Sequence, residues 1–300
     1  MSASRPSTAQ SRATLILVLT TAIWGFTFVT NQNLLKTISA IDIMTWRFGI
    51  AAVLLVAFKP SALGQLDRRT AVQGIILGLL LSLGYVTQLV GLKTTTATAS
   101  GFITGLFVIF TPIISSAIFK QRISSLAWFA VALTTLGLGL LALQGWHMGR
   151  GAGLTLACAF LFACHIVGLG QWSRAQIAYA LTTLQISVVF LVSLTVSLAK
   201  GGPALDNTVA NWRDLVFLAA FATCLCFFAQ TWAQSKLTAT RTGIILTLEP
   251  VFSGVAGVTI AHDDLTQRML VGALFILISM YLVELDPKQR NHEIAIRLEP

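Results

Sequence analysis

Charge is the scarcest thing in this sequence. Only 10% of its 300 residues are Asp, Glu, Lys or Arg, and the acids number 11, where a soluble domain carries roughly 25% charged residues. A chain so poor in charge cannot clothe a water-facing surface, which excludes an ordinary soluble globule. The four cysteines, Cys158, Cys164, Cys224 and Cys226, lie inside apolar stretches, without a C-x-x-C pattern or a ligand-spaced histidine. They read as small core residues, and neither a metal site nor a disulfide is expected. A G-x-x-x-x-G-K-[ST] loop is missing, so ATP is not the energy source; the glycines of "GRGAG" at 149 to 153 merely open an apolar stretch. A nucleophile with its base, or a metal set at membrane depth, is missing too, so an enzyme is not expected, and no cofactor is implied. The net charge of +9 comes without a basic block interleaved with aromatics, which argues against a nucleic-acid partner.

What is abundant is apolar length. Hydrophobic residues make up 55% of the chain and the mean hydropathy is +0.80. Ten stretches are long enough to cross a hydrocarbon core of about 30 Å: 13 to 33, 41 to 58, 71 to 91, 97 to 118, 124 to 143, 152 to 172, 176 to 199, 213 to 235, 241 to 260 and 266 to 284. Continuous runs such as "GIILGLLLSLGYVTQLVGL" predict helices, since a barrel would show short alternating segments. The first stretch is too long, and at "TNQN" too polar, for a cleaved signal peptide, and is read as retained. In alternate loops, one side of the membrane collects thirteen basic residues: Arg5, Arg12, Lys59, Arg68, Arg69, Lys120, Arg122, Arg174, Lys236, Arg241, Lys288, Arg290 and Arg297. The other collects six: Lys36, Lys93, Arg150, Lys200, Arg213 and Arg268. That bias predicts cytoplasmic termini and accounts for the net charge as a topology signal.

The chain also repeats itself. "TATASG" at 96 to 101 returns as "TATRTG" at 238 to 243, an offset of 142, and in the same register Gln88 falls on Gln230, Phe110 on Phe252 and Leu143 on Leu285. The predicted units are residues 1–143 and 144–285, each of five helices, followed by a cytoplasmic tail, 286–300. Because five is odd, the second copy must enter the membrane from the opposite side. An inverted repeat of this kind is a transporter signature, since exchanging the conformations of the two copies supplies inward-open and outward-open states. The fourth and ninth stretches carry Pro112 and Pro250, eleven residues after Gly101 and seven after Gly243, so the register slips there by one helical turn. Each proline removes a backbone hydrogen bond and predicts a helix break.

The "AIWGFTF" of the first stretch, the Y-x-x-Q of "YVTQLVGLKTTTATASG" and "LTATRTGIILTLEPVF", on a ten-helix frame, resemble the EamA-type transporters of the drug/metabolite transporter superfamily. Within that family the chain is most similar to the YddG-type exporters. The resemblance implies a bacterial inner-membrane carrier that exports aromatic and other hydrophobic amino acids and related metabolites. Where family members often end the fourth span with an acidic "GE", this chain reads "FKQRIS", with Lys120 and Arg122; the second half has "AHDDLT", so an acidic role there falls to Asp263 or Asp264.

Candidate cargo contacts follow from residues that are polar where lipid would penalise them. Thr20, Trp24, Thr27 and Asn31 form one stripe at i, i+4, i+7 and i+11, predicted to face the interior for cargo or for helix-to-helix hydrogen bonds. Trp24 lies near mid-span, unlike Trp146, Trp172 and Trp212, which are expected at interfaces. Tyr85 and Gln88 share a face, and the repeat puts Phe227 and Gln230 on the matching face, with Gln88 nearer the outer side and Gln230 nearer the inner one. An amide donates to a carboxylate and accepts from an ammonium, which suits a zwitterion. Arg47 either snorkels to the outer headgroups or clamps a carboxylate. Glu249, next to Pro250, either carries a coupling proton, meets a cargo ammonium, or pairs with Arg47 at the broken helix; His165 is a further proton acceptor or a cross-helix hydrogen-bonding group. The expected function is secondary transport by alternating access of an amphipathic small molecule, an amino acid first and a cationic drug, polyamine or other small metabolite second. A phosphorylated cargo would need more basic residues than Arg47. The expected partners are that substrate and the lipid bilayer, and a monomer suffices because two halves supply the cavity.

Overall fold

The computed structural model describes residues 8–95, 97–142, 150–205, 208–261 and 266–286, and every regular element among them is helical. In chain order these are α1 (Thr8–Leu34), α2 (Ala40–Phe58), α3 (Arg68–Leu92), α4 (Ala97–Gly105), α5 (Phe107–Phe119), α6 (Ser125–Ala142), α7 (Arg150–Trp172), α8 (Ala178–Leu198), α9 (Val209–Phe217), α10 (Cys226–Gln234), α11 (Ala239–Leu246), α12 (Leu248–Ala256) and α13 (Gln267–Glu284). Seven segments are long and apolar enough to cross a membrane: α1, α2, α3, α7, α8, Val209–Gln234 and Ala239–Ile260. Three shorter apolar helices, Ile103–Phe119, Ser125–Leu140 and Leu270–Val283, complete the bundle among the described residues. Thr96, Trp146, Asp263, Asp264, Arg5, Lys288, Arg290 and Arg297 lie outside the described residues.

The helices are apolar on nearly every face because both of their surroundings are apolar. Leu15, Phe58, Leu136, Leu191, Leu274 and Tyr281 are exposed, while Thr20, Thr27, Asn31, Gln88, Gln185 and Gln230 are buried. Inside, polar side chains find acceptors that lipid cannot supply. Helix ends are capped by short polar residues. Ser39 accepts from the backbone N–H of Asp42 (3.2 Å), and Asp67 from that of Thr70 (2.8 Å). Hydrogen bonds from Thr70 hold the Asp67 carboxyl below its ordinary pKa. Asp42 in turn accepts from Ser39 (2.8 Å) and from Ser197 (2.7 Å), tying the start of α2 to the end of α8.

Packing follows the sequence repeat. Shifting α6 by 142 residues lands on α13, α2 on α8, α3 on α9–α10, and α4–α5 on α11–α12. Accordingly, α6 packs on α13 and α2 on α8, pairs that the repeat exchanges with each other. The packing of α3 on α7 is matched by that of α10 on α1, and the packing of α4 and α5 on α7 by that of α11 and α12 on α1.

The helix breaks obey the same symmetry, and here the expectation from Pro112 is corrected. The fourth rod is interrupted at Leu106 (φ −64°, ψ −7°) and the ninth at Thr247 (φ −70°, ψ 0°), within one residue of the repeat offset. Pro112 sits inside the continuous helix α5, six residues past the interruption, and Pro250 in the first turn of α12. Pro250 has no N–H to give the carbonyl of Leu246, the last residue of α11, whereas the bond Pro112 forfeits does not end α5. The four-residue slip between the prolines is therefore not shared by the backbone. The eighth rod differs from its partner in another way: Leu218–Leu225 is a π-helical stretch, whereas α3 runs regular throughout. A second π turn, Gly257–Ala261, follows α12.

Arg241 is also corrected. Counted among the loop cations, it sits in the first turn of α11, where Thr238 caps the helix, and is 0% exposed. Its guanidinium donates to the hydroxyl of Thr14 on α1 (3.2 Å), because the cap turns the side chain inward against that helix.

Close helix packing rests on missing side chains. A Cβ at Gly91 would stand 2.6 Å from the Thr155 hydroxyl and 2.8 Å from the Gly151 carbonyl, whereas one at Gly153 would meet nothing within 4 Å. Gly91→Ala is expected to separate α3 from α7 and cost about 1–3 kcal/mol, read as a lower melting temperature in detergent, while Gly153→Ala leaves it unchanged.

Candidate functional site

A cavity opens where the two interrupted rods meet α1, α3, α7 and α10. It is lined by Trp24, Thr27, Leu81, Tyr85, Gln88, Phe107, Phe162, His165, Ile166, Phe227, Gln230, Leu246 and Glu249. The repeat pairs eight of these across the cavity: Trp24 with Ile166, Tyr85 with Phe227, Gln88 with Gln230, and Phe107 with Glu249, each at the offset of 142. The cavity therefore lies on the junction of the halves. Phe107 opens α5 and Glu249 lies in the first turn of α12, immediately past the two interruptions. Room for water centres is about 50 Å³, enough for about four waters at roughly 10–15 Å³ each. An aromatic cargo requires the lining side chains to move apart.

The walls are held by hydrogen bonds to the irregular backbone behind them. In the π stretch, N–H groups bond one residue further back than in an α-helix, which leaves a carbonyl free to accept elsewhere. The indole N–H of Trp24 donates to the carbonyl of Ala222 (2.8 Å) and the hydroxyl of Thr27 to that of Trp24 (2.7 Å). Thr223, in the same stretch, donates to Leu218 and accepts from Nε of Arg47 (2.7 Å). Arg47 is 1% exposed; its Nη2 donates to the Tyr85 hydroxyl (3.3 Å), and its guanidinium lies 4.9 Å from the Tyr85 ring centroid and 5.2 Å from that of Phe48. Rings then propagate the order. Phe227 packs on Trp24 (5.2 Å between centroids) and on Tyr85 (6.2 Å), and Tyr85 packs on Phe162 (5.4 Å). These tilted and edge-on geometries are the favoured ones for aromatic quadrupoles.

The polar lining groups divide into committed and open ones. Gln88 donates to Thr104 (3.4 Å). His165 bonds through Nε2 to Oε1 of Gln185 (2.8 Å), whose amide donates to Thr231 (3.2 Å), a chain linking α7, α8 and α10. With the Gln185 oxygen facing it, Nε2 carries the proton. Oε1 of Gln230 is buried and unpartnered. Glu249 makes no ion pair or hydrogen bond among the described residues; the ion pair found there is Arg213–Asp214 (3.0 Å).

Of the residues singled out in the sequence, Trp24, Thr27, Tyr85, Gln88, Gln230, Glu249 and His165 come together in the cavity. Asn31 and Thr20 are buried on the same face of α1 but outside the lining, and Asn31 keeps an unpartnered Oδ1. Arg47 neither snorkels to a surface nor lines the cavity; it stands behind Tyr85. It does not pair with Glu249. Phe107, Phe162, Leu81, Ile166 and Leu246 went unnoticed because an apolar residue in an apolar helix carries no signal of its own. For Phe107 the repeat register supplied one, since it falls on Glu249.

A bundle of apolar helices whose repeated halves meet at a polar and aromatic cavity defines a membrane transporter. The chain belongs to the EamA-like transporter family, whose profile matches it twice, over residues 11–143 and 149–285. It is 31% identical over 274 residues to an uncharacterized transporter of Archaeoglobus fulgidus, covering 91% of this chain and 86% of that one. It is 22% identical over 294 residues to the uncharacterized transporter YcxC of Bacillus subtilis, covering 90% and 92%. A solved crystal structure superposes with a TM-score of 0.75 at 16% identity, over 99% of this chain and 100% of that one, a likeness of fold.

The Arg47–Thr223 bond supports the wall that Tyr85 presents. Thr223→Val keeps the shape but leaves a buried guanidinium N–H without its acceptor. It is expected to cost about 2 kcal/mol in detergent unfolding, while Thr223→Ser stays near wild type.

Proposed function

We propose that this transporter is a secondary carrier that exports aromatic and other hydrophobic amino acids, or related amphipathic metabolites, across the bacterial inner membrane by alternating access. The observation that carries the reading is the cavity built from repeat-related residues at two interrupted helices. A site on the symmetry axis is reachable from either side when the halves exchange conformations. In this reading ten helices span the membrane, the three shorter ones included, as an inverted repeat of residues 1–143 and 144–285, with both termini and the tail 286–300 cytoplasmic. The monomer is the working unit, since both halves of the site come from one chain.

The chemistry of the lining supports an amphipathic cargo. Trp24, Tyr85, Phe107, Phe162 and Phe227 offer an aromatic body its walls. The amides of Gln88 and Gln230 can donate to a carboxylate, and Glu249 can accept from an ammonium. Glu249 and His165 are also the two lining groups able to carry a coupling proton.

The test is uptake of radiolabelled phenylalanine into proteoliposomes of the purified protein, with and without an imposed pH gradient. Uptake above that of empty liposomes is expected without a gradient, and acceleration by the gradient assigns coupling to Glu249 or His165. Gln88→Ala and Gln230→Ala are expected to slow uptake by about tenfold, the loss of a hydrogen bond or two to cargo. The lipid-facing change Leu191→Ala leaves it intact. Wild-type rates in both glutamine variants would overturn the assignment of the cavity.

A further inference from the structure

The two halves give the cavity matching positions but not matching chemistry. Where the second half presents the carboxylate of Glu249, the first presents the ring of Phe107; where the first half presents Trp24, the second presents Ile166. A symmetric frame thus holds a polarised site, acidic at the start of α12 and aromatic at the start of α5.

We propose that Glu249 reads the ammonium group of the cargo, and that the cavity selects amines with an apolar body while reading no carboxylate through Arg47. The proposal deepens the transport reading above by naming the chemical class its site takes. Three observations support it. Glu249 lines the cavity without a hydrogen bond or ion pair among the described residues, so its acceptor capacity is open to a ligand. Nearby, Oε1 of Gln230 is a second acceptor, buried and unpartnered.

Outside the two glutamine amides, by contrast, the donors of the lining are largely committed. The Trp24 indole N–H goes to Ala222, the Thr27 hydroxyl to Trp24 and the His165 ring to Gln185. Arg47, the cation a carboxylate would seek, is buried outside the lining, its Nε on Thr223, its Nη2 on the Tyr85 hydroxyl and its guanidinium against two rings. A carboxylate could reach it only by displacing Tyr85. A site whose unpartnered acidic group faces only neutral amide donors favours a cationic donor, and an ammonium is one with three N–H groups and a full charge. The rings that line the cavity add to the preference, since aromatic quadrupoles attract cations.

The discriminating experiment is isothermal titration calorimetry on the detergent-solubilised full chain with two probes. Phenethylamine has the aromatic body and the ammonium; 3-phenylpropionate has the same body and a carboxylate instead. Phenethylamine is expected to bind at least about tenfold more tightly, the scale of a desolvated charge contact. Glu249→Gln, with its melting temperature unchanged, is expected to lose that advantage while the lipid-facing change Leu191→Ala retains it. Equal binding of the two probes by wild type, no binding of the amine, or an undiminished preference in Glu249→Gln would each overturn the proposal. Phenylalanine uptake without amine binding would refute this inference and leave the transport reading standing. Amine binding without phenylalanine uptake would refute the amino-acid cargo and leave the ammonium site standing.

Discussion

In an apolar medium every backbone N–H and carbonyl has to be satisfied by the protein itself, and the places where a helix departs from its regular ladder organise the rest of this molecule. The π stretch Leu218–Leu225 is the clearest case. Its carbonyl at Ala222 takes the indole N–H of Trp24, and its Thr223 takes Nε of Arg47. Trp24 and the Tyr85 that Arg47 braces are two walls of the cavity. The irregularity of one helix therefore positions side chains from two others. Leu106 and Thr247 act in the same way: each interruption starts a new helix, and the residues just past it, Phe107 and Glu249, face the cavity.

A second constraint is the repeat. Equivalent helices pack equivalently, and eight lining residues form four repeat-related pairs. Geometry is thus shared between the halves while chemistry is not, and the differences fall where a ligand would sit. The regular α3 opposite the π-helical stretch of the eighth rod, and Phe107 opposite Glu249, are the sites where the copies have diverged. A cavity made this way is shared by both halves and still presents unlike chemistry at equivalent positions.

Burial of charge is the third theme. Arg47 and Arg241 are the two largest side chains fully enclosed in the structure, and each is held by threonine hydroxyls on a neighbouring helix. Neither was legible as an interior residue. Arg241 follows a short loop and counts naturally with the loop cations, while Arg47 left open whether it snorkels or binds. An enclosed guanidinium survives only where acceptors and ring faces converge on it. That convergence comes from helices far apart in the chain.

The helical class, the apolar stretches and the repeat offset were all readable from the sequence alone, because hydrophobic length and periodic identity are local properties of the chain. Most of the polar cavity residues were readable as well, since a tryptophan, glutamine, histidine or glutamate deep in an apolar run stands out against its neighbours. Tertiary structure alone decided that Leu106, and not Pro112, marks the break in the fourth rod, and that Arg47 supports the wall and does not line it. It also decided which phenylalanines face the cavity. In a helix that is apolar all round, the inward face and the partner of each donor depend on which other helix packs there, and that is settled by contacts between residues more than a hundred positions apart.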